Sequence, residues 1–172
     1  YIINHYYILG MSNFFKNSDI DASQAEAIVT ETLKNCDDGE LYLENHKSES
    51  IVLDDNKIKS STYNSDQGYG FRAVTGEVVA YSHSNDISKE SLKKSSDNLK
   101  DTLKSKKGTY NHEIPKTNSK YYENINPIEN KTFNSKIDLL NNVNNYLRSK
   151  GSIVNQVTAN FLGEHKSVEI IR

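Results

Sequence analysis

The residues that could do chemistry are few, and their spacing limits what they can do. Histidines stand at His5, His46, His83, His112 and His165. A metal site needs several donors converging on one point, and a helical pair must lie one turn apart. His112-Glu113 opens like a zinc motif, but Ile114-Pro115 follows and no second histidine lies one turn on. The proline also forbids the helix that such a pair requires. Cys36 is the single cysteine and has no local partner for zinc or for nucleophilic catalysis. Asp37, Asp38, Glu40 and Glu44 are close in sequence. Strand and loop geometry does not aim them at one point, so they are expected to be solvated charges. No phosphate-binding glycine loop is present, because Gly68-Tyr69-Gly70 lies in a strand pattern with no helix after it. By residue chemistry alone the chain is not an enzyme, and no catalytic or metal-ligating residue is assigned.

One stretch is more suggestive. From Gly68 to Ser88 the sequence reads GYGFRAVTGEVVAYSHSNDIS. Side chains two apart share a strand face. Tyr69, Phe71 and Ala73 then point one way, toward covering helices, and Gly68, Gly70, Arg72 and Val74 point the other. Two glycines leave a bare patch that another backbone can approach closely. Arg72 at its end could anchor a carboxylate. The face is therefore a candidate path for an extended peptide, or a subunit contact. The same pattern also arises if the glycines serve a bulge or sheet curvature and Arg72 pairs with an internal acid such as Asp66.

The surrounding pattern predicts the elements that would hold this face. Asp21 with Gln24 has capping-box spacing. Ala25, Ile28, Val29, Thr32, Leu33 and Cys36 follow at helical intervals, which makes Cys36 a small core residue. From Glu40 to His83 the period changes to two, which predicts a meander of four or five antiparallel strands. Asp54-Asp55-Asn56-Lys57 has turn chemistry, and Thr75-Gly76-Glu77 reads as a hairpin turn. Ser88 caps a second helix carrying Leu92, Leu99 and Leu103 on one stripe. Residues 108–129 are polar, with Pro115 and Pro127 and no periodicity. A third helix places Phe133, Ile137, Leu140, Val143 or Asn144, and Leu147 at helical spacing, with Gly151 as its stop. Ile153 to Phe161 alternates as a strand, Leu162-Gly163-Glu164-His165 reads as a turn, and Ser167 to Ile171 as a further strand whose apolar edge is open.

The expected fold class is α+β. It is a two-layer domain with helices on one face of an antiparallel sheet, plus the start of a second αβ segment. The expected organisation is an extension over 1–20, the α+β domain over 21–107, a linker over 108–130 and an incomplete αβ segment over 131–172. Met11 opens MSNFF and could be a true start, and residues 1–10 lack the features of a signal peptide.

Bulk properties exclude some partners. With 172 residues and a net charge of −2, nothing electrostatic calls for nucleic acid. Seven lysines against three acids between Lys89 and Lys107 could suggest a polyanion or membrane surface. The i,i+3 pairs Asp97 with Lys100 and Asp101 with Lys104 fit a solvated face better. No apolar run approaches spanning length, and a lone cysteine suits a reducing compartment.

The stretch from Asp66 to Gly76, closing with Asp86-Ile87-Ser88, resembles the N-terminal region of the TldD/PmbA family. Gly39-Glu40-Leu41-Tyr42-Leu43-Glu44 and Glu49-Ser50-Ile51-Val52-Leu53-Asp54-Asp55 agree in order and spacing, as does Ile58-Lys59. Val157-Thr158-Ala159 resembles the family's next segment. The resemblance runs from about Asp21 to Arg172, and the Arg-Ala-Val-x-Gly hairpin is closer to the TldD branch than to PmbA (TldE).

The resemblance implies a cytoplasmic zinc metallopeptidase that pairs with a TldE/PmbA-like subunit and degrades or matures unfolded and modified peptides, taken as extended chains. An older name for the family is modulator of DNA gyrase. The zinc site it implies is a His-Glu-x-x-x-His helix outside this sequence, so no cofactor is expected in this chain and zinc only in a full-length member. The leading expectation is an N-terminal part of such an enzyme, inactive alone. The alternatives are a non-catalytic interaction module or a remnant of a decayed gene, and, less favoured, a gyrase- or nucleic-acid-binding protein.

Overall fold

The computed structural model describes residues 14–104, 108 and 125–172. In chain order the elements are α1 (Ala22–Leu33), β1 (Asp38–Asp54), β2 (Lys57–Thr75), β3 (Val78–Ser84), α2 (Lys89–Leu103), α3 (Phe133–Arg148) and β4 (Thr158–Ile171). The strands form one antiparallel sheet in the order β3-β2-β1-β4. The fold is the α+β class with helices layered on a sheet.

Three strands, not four or five, fill the expected meander. The polar stretches Asn45–Ser48 and Asn64–Gln67 contain no proline or glycine, so polarity alone does not interrupt β1 or β2. Two turns are tight for different reasons. Asp55 and Asn56 both take positive φ, 48° and 68°, as a I′ hairpin turn demands. Gly76 has φ 60° at the first position of a two-residue loop, which glycine adopts without strain. The expected turn at Leu162–His165 is absent, because those residues continue β4. Gly163 is instead a close approach: a Cβ there would lie 3.3 Å from Ile128 Cγ1. The strand also begins at Thr158, not at Ile153.

The chain divides into two compact units. The first holds α1, α2, β3, β1 through Asn45, β2 from Gln67, and Ser167–Arg172. Its core joins Ala25, Val29, Leu33 and Cys36 to Leu41, Leu43, Tyr69, Phe71, Ala73, Leu92, Leu99 and Leu103. The α1 start is the expected capping box, with the Asp21 carboxylate accepting the Gln24 N–H at 2.8 Å. Beneath α2, the Tyr69 hydroxyl hydrogen-bonds Ser91 Oγ at 2.8 Å and Ser95 Oγ at 2.9 Å, satisfying a buried phenol. On the outer side of α2, Lys104 and Asp101 pair at 2.7 Å, as the i,i+3 spacing predicts.

The second unit holds His46–Asp66, α3 and the earlier part of β4. Ile51, Leu53 and Leu140 form its apolar core, with Ala159 and Phe161 against them. The inward stripe of α3 is Lys136, Leu140 and Asn144, while Phe133, Val143 and Leu147 are exposed. The expected stripe is thus rotated, because Lys136 is drawn inward by an acid. Its ammonium, 5% exposed, donates to buried Glu49 and, at 2.7 Å, to the Ile128 carbonyl. Arg148 and Asn144 on α3 reach the hairpin turn, donating to Asp55 and Asn56 respectively.

Met11 and residues 1–10, His5, and His112 with Pro115 lie outside the described residues.

Candidate functional site

The candidate face lies in the first unit, and its construction starts with alternation on β2. Tyr69, Phe71 and Ala73 are buried in the core, as expected. Gly68, Gly70, Arg72 and Val74 lie on the opposite side. On β1, burial of Leu41 and Leu43 turns Asp38, Glu40, Tyr42 and Glu44 to that same side.

Arg72 is held there by two acids. Its Nε donates to Glu40 Oε1 at 2.6 Å, and its Nη2 donates to Glu40 Oε2 at 2.7 Å and to Asp38 Oδ2 at 2.6 Å. Arg172 adds a second guanidinium 3.7 Å from Glu40 Oε2. The planar fork of arginine matches the carboxylate in two places, which a lysine could not do. The hydrogen bond from Arg72 holds the Asp38 carboxyl below its ordinary range, and the two acids hold the Arg72 guanidinium above its own.

Arg72 does pair with internal acids, as one of the two expectations had it, but they are Asp38 and Glu40 where Asp66 was the example. Those acids are also not merely solvated, because alternation along β1 does aim Asp38 and Glu40 at one cation. Of their neighbours, Asp37 accepts the Gly76 N–H at 2.6 Å, and Glu44 accepts the Tyr42 hydroxyl at 2.5 Å. That bond pushes the Tyr42 phenol up to about 12.

The glycines have specific occupants opposite them. A Cβ on Gly70 would lie 2.5 Å from the Tyr81 hydroxyl and 3.1 Å from its ring. Tyr81 pairs in register with Arg72, and its ring lies across the bare position. It also stacks on His83 with centroids 5.9 Å apart. A Cβ on Gly68 would lie 2.8 Å from the Ser84 carbonyl oxygen, so this glycine admits the chain as it leaves β3. Gly39, at the head of the Gly39–Glu44 stretch, lies inside β1 and also shapes the cluster. Its missing Cβ would sit 2.6 Å from the Arg72 carbonyl oxygen and 2.4 Å from Leu33 Cδ2. Only a glycine lets β1 come this close and bring Asp38 and Glu40 to either side of the arginine.

Chemically, the arrangement is an ion-paired cluster in which Nε and Nη2 of Arg72 donate to Glu40 and Asp38. Cys36 is buried, and burial pushes its thiol up, away from the reactive thiolate. Among the described residues no three His, Cys, Asp or Glu side chains converge to hold a metal ion. Zinc therefore has no donor set in them, and no chemical step is assigned through it. A shallow depression lined by Asp19, Lys89, Glu90, Lys93, Lys94, Asp97 and Asn98 mixes charges of both signs and presents no convergent set of donors.

Comparison with known proteins agrees with this architecture. The family described as PmbA/TldA metallopeptidase domain 1 matches residues 39–104, which include Gly39, Glu40, Gly70, Arg72 and Tyr81. A metalloprotease TldD homologue of Buchnera aphidicola subsp. Acyrthosiphon pisum is 33% identical over 136 residues, or 78% of this chain and 28% of that protein. A metalloprotease TldD homologue of Haemophilus influenzae is 31% identical over 144 residues, or 80% of this chain and 29% of that protein. The chain thus spans under a third of the length of these curated relatives.

Among solved structures, TldE from Thermococcus kodakarensis superposes with a TM-score of 0.52 at 13% identity, covering 86% of this chain and 34% of that one. A candidate modulator of a DNA gyrase from Thermotoga maritima gives 0.55 at 12% identity, with the same two coverages, 86% and 34%. At such identity the likeness establishes the fold. With the sequence matches, it makes this chain a TldD-like member of the TldD/PmbA family, carrying that family's first domain.

Proposed function

We propose that this chain supplies a non-catalytic first domain to a TldD-type zinc metallopeptidase that acts on peptides in the cytoplasm with a TldE/PmbA-type subunit. The observation that carries the reading is the sequence match to TldD homologues across most of the chain. The chemistry of the candidate face supports a structural role, because its arginine is committed to internal acids and its glycines to internal neighbours. No helix of the described residues is long and apolar enough to cross a membrane.

Within that role, the Gly68, Gly70 and Arg72 face serves as a contact for another folded element and not as a channel for an extended peptide. The Tyr81 ring over Gly70 supports this choice, since a peptide backbone would have to displace it. The experiment is a paired assay on the purified chain. Zinc is quantified by mass spectrometry, peptide hydrolysis is followed with unstructured substrates, and capture by a purified TldE/PmbA-type subunit is measured by biolayer interferometry. The expected result is capture without zinc or hydrolysis. Stoichiometric zinc with hydrolysis by this chain alone, or no capture, would overturn the reading.

A further inference from the structure

Part of β2 is an open sheet edge. β3 pairs with β2 from Tyr69 to Thr75, and among the described residues no strand lies outside Lys57–Gln67. That run is exposed throughout its length. Its outward backbone N–H and C=O groups therefore have no ladder partner among the described residues.

Such an edge is a template for another extended backbone. Native edges are blunted by proline, by charge, by brevity or by a covering element. This run has no proline, and its two lysines, Lys57 and Lys59, stand together at the turn end. From Ser60 to Ser65 it carries no charge, and it includes Thr62 and Tyr63, residue types that favour a sheet.

The run is also its own complement. In a twofold contact the same surface lies on both partners. Laid antiparallel and centred on itself, the run places Thr62 at the axis, facing the second copy's Thr62. Lys57 then faces Gln67, Lys59 faces Ser65 and Asp66 faces Ile58. These are all the charges of the run, and no two of one sign are opposed. The basic end of each copy meets the acidic end of the other, whereas a parallel arrangement would bring like ends together. Tyr63, 52% exposed, would lie opposite the copy's Ser61 and within diagonal reach of its Tyr63.

We infer that the outer edge of β2, from Lys57 to Gln67, pairs antiparallel with the same edge of a second copy of this chain, joining two four-stranded sheets into one. Backbone hydrogen bonds supply the contact, and the charged ends set its direction. The inference goes beyond the reading of the Arg72 face as a contact and does not rest on it.

The test is the solution mass of the chain by size-exclusion chromatography with light scattering over a concentration series. Wild type is compared with Thr62→Lys, with Thr62→Asp, and with an equal mixture of the two. The expected result is a wild-type dimer at twice the chain mass. Either variant alone sets like charges against each other at the axis and should raise the dissociation midpoint by about tenfold or more. The mixture sets lysine against aspartate and should dimerise again. Thermal melts by circular dichroism establish that the variants stay folded. Hydrogen exchange on the wild type keeps the test alive if they do not, because amides of Lys57–Gln67 should slow as concentration rises. A wild type at single-chain mass throughout, variants that dimerise like wild type, a mixture that stays monomeric, or edge amides indifferent to concentration would each overturn the inference. Capture by a purified TldE/PmbA-type subunit should be unchanged in both variants. If wild type is monomeric and the variants lose capture, the edge serves that subunit and the second copy is wrong.

Discussion

Arg72 on β2 and Glu40 on β1 meet in a two-pronged contact, Nε to Oε1 at 2.6 Å and Nη2 to Oε2 at 2.7 Å. The remaining reach of Nη2 goes to Asp38. One guanidinium thus holds two carboxylates that would otherwise face each other across a short stretch of strand.

Arg72→Ala removes three hydrogen bonds and leaves Asp38 and Glu40 as like charges. The site is partly exposed, so solvent screening tempers the loss. We expect about 1–2 kcal/mol of destabilisation by urea denaturation. Arg72→Lys should recover less than half, because an ammonium cannot make the forked contact. Full recovery by lysine would show that charge alone, without geometry, is what matters.

The same pairing sets a dependence on acid. Asp38 has its carboxyl lowered in the folded state, first by the hydrogen bond from Arg72. A group lowered on folding stabilises the fold above its unfolded value, about 3.9, and loses that contribution as pH falls through the folded value. Wild type should therefore lose stability below about pH 4 more steeply than Asp38→Asn, whose side chain does not titrate. Equal slopes for the two proteins in acid denaturation would show that Asp38 is not held by Arg72.

Tyr42 titrates in the opposite direction. Its phenol is raised to about 12, first by its hydrogen bond to Glu44. A raised group stabilises the fold below its unfolded value, about 10, and the contribution fades as pH rises through the folded value. Phenolate absorbance at alkaline pH should show one tyrosine titrating late, and Glu44→Gln should bring it back toward the rest. A late tyrosine that survives Glu44→Gln would assign the shift to another residue.

The glycines should rank by what a methyl group would strike. At Gly39 it meets the Arg72 backbone oxygen at 2.6 Å, which cannot swing away, besides Leu33 Cδ2 at 2.4 Å. We expect Gly39→Ala to cost about 2–3 kcal/mol, as overpacking against fixed atoms does. At Gly70 the obstacle is the outer end of the exposed Tyr81 side chain, which can turn aside, so Gly70→Ala should cost less than about 1 kcal/mol. Thermal melts of the two variants compare them directly, and the reverse order would contradict the close approach at Gly39.

The buried pair of the second unit offers the largest expected effect. Lys136→Met strands the Glu49 carboxylate in a site where it is 8% exposed. Removing one partner of a buried pair costs about 3–5 kcal/mol. Replacing both, as Lys136→Met with Glu49→Leu, should restore most of that, since no charge is left without a partner. A double variant no more stable than Lys136→Met alone would mean that packing, not the unpaired charge, sets the loss.

Much of this protein is written in local pattern. The Asp21 capping box, the α1 stripe through Leu33, the α2 leucines, the two turns and the inward set Tyr69, Phe71 and Ala73 all follow from spacing. Each depends on residues only a few positions apart, so the sequence by itself determines them. Period also places Arg72 opposite that inward set, but it says nothing of what stands beside it. The partners of Arg72 are 32 and 34 residues away in Glu40 and Asp38, and only strand pairing brings them there. Tyr81 lies across Gly70 because the β2–β3 register puts it next to Arg72. Lys136 turns inward to an acid 87 residues earlier, against the apolar spacing of its own helix. Periodicity decides which face a side chain takes, because it is a property of one segment's geometry. Which charge, ring or backbone then meets that side chain depends on register between distant segments, and only the tertiary structure decides it.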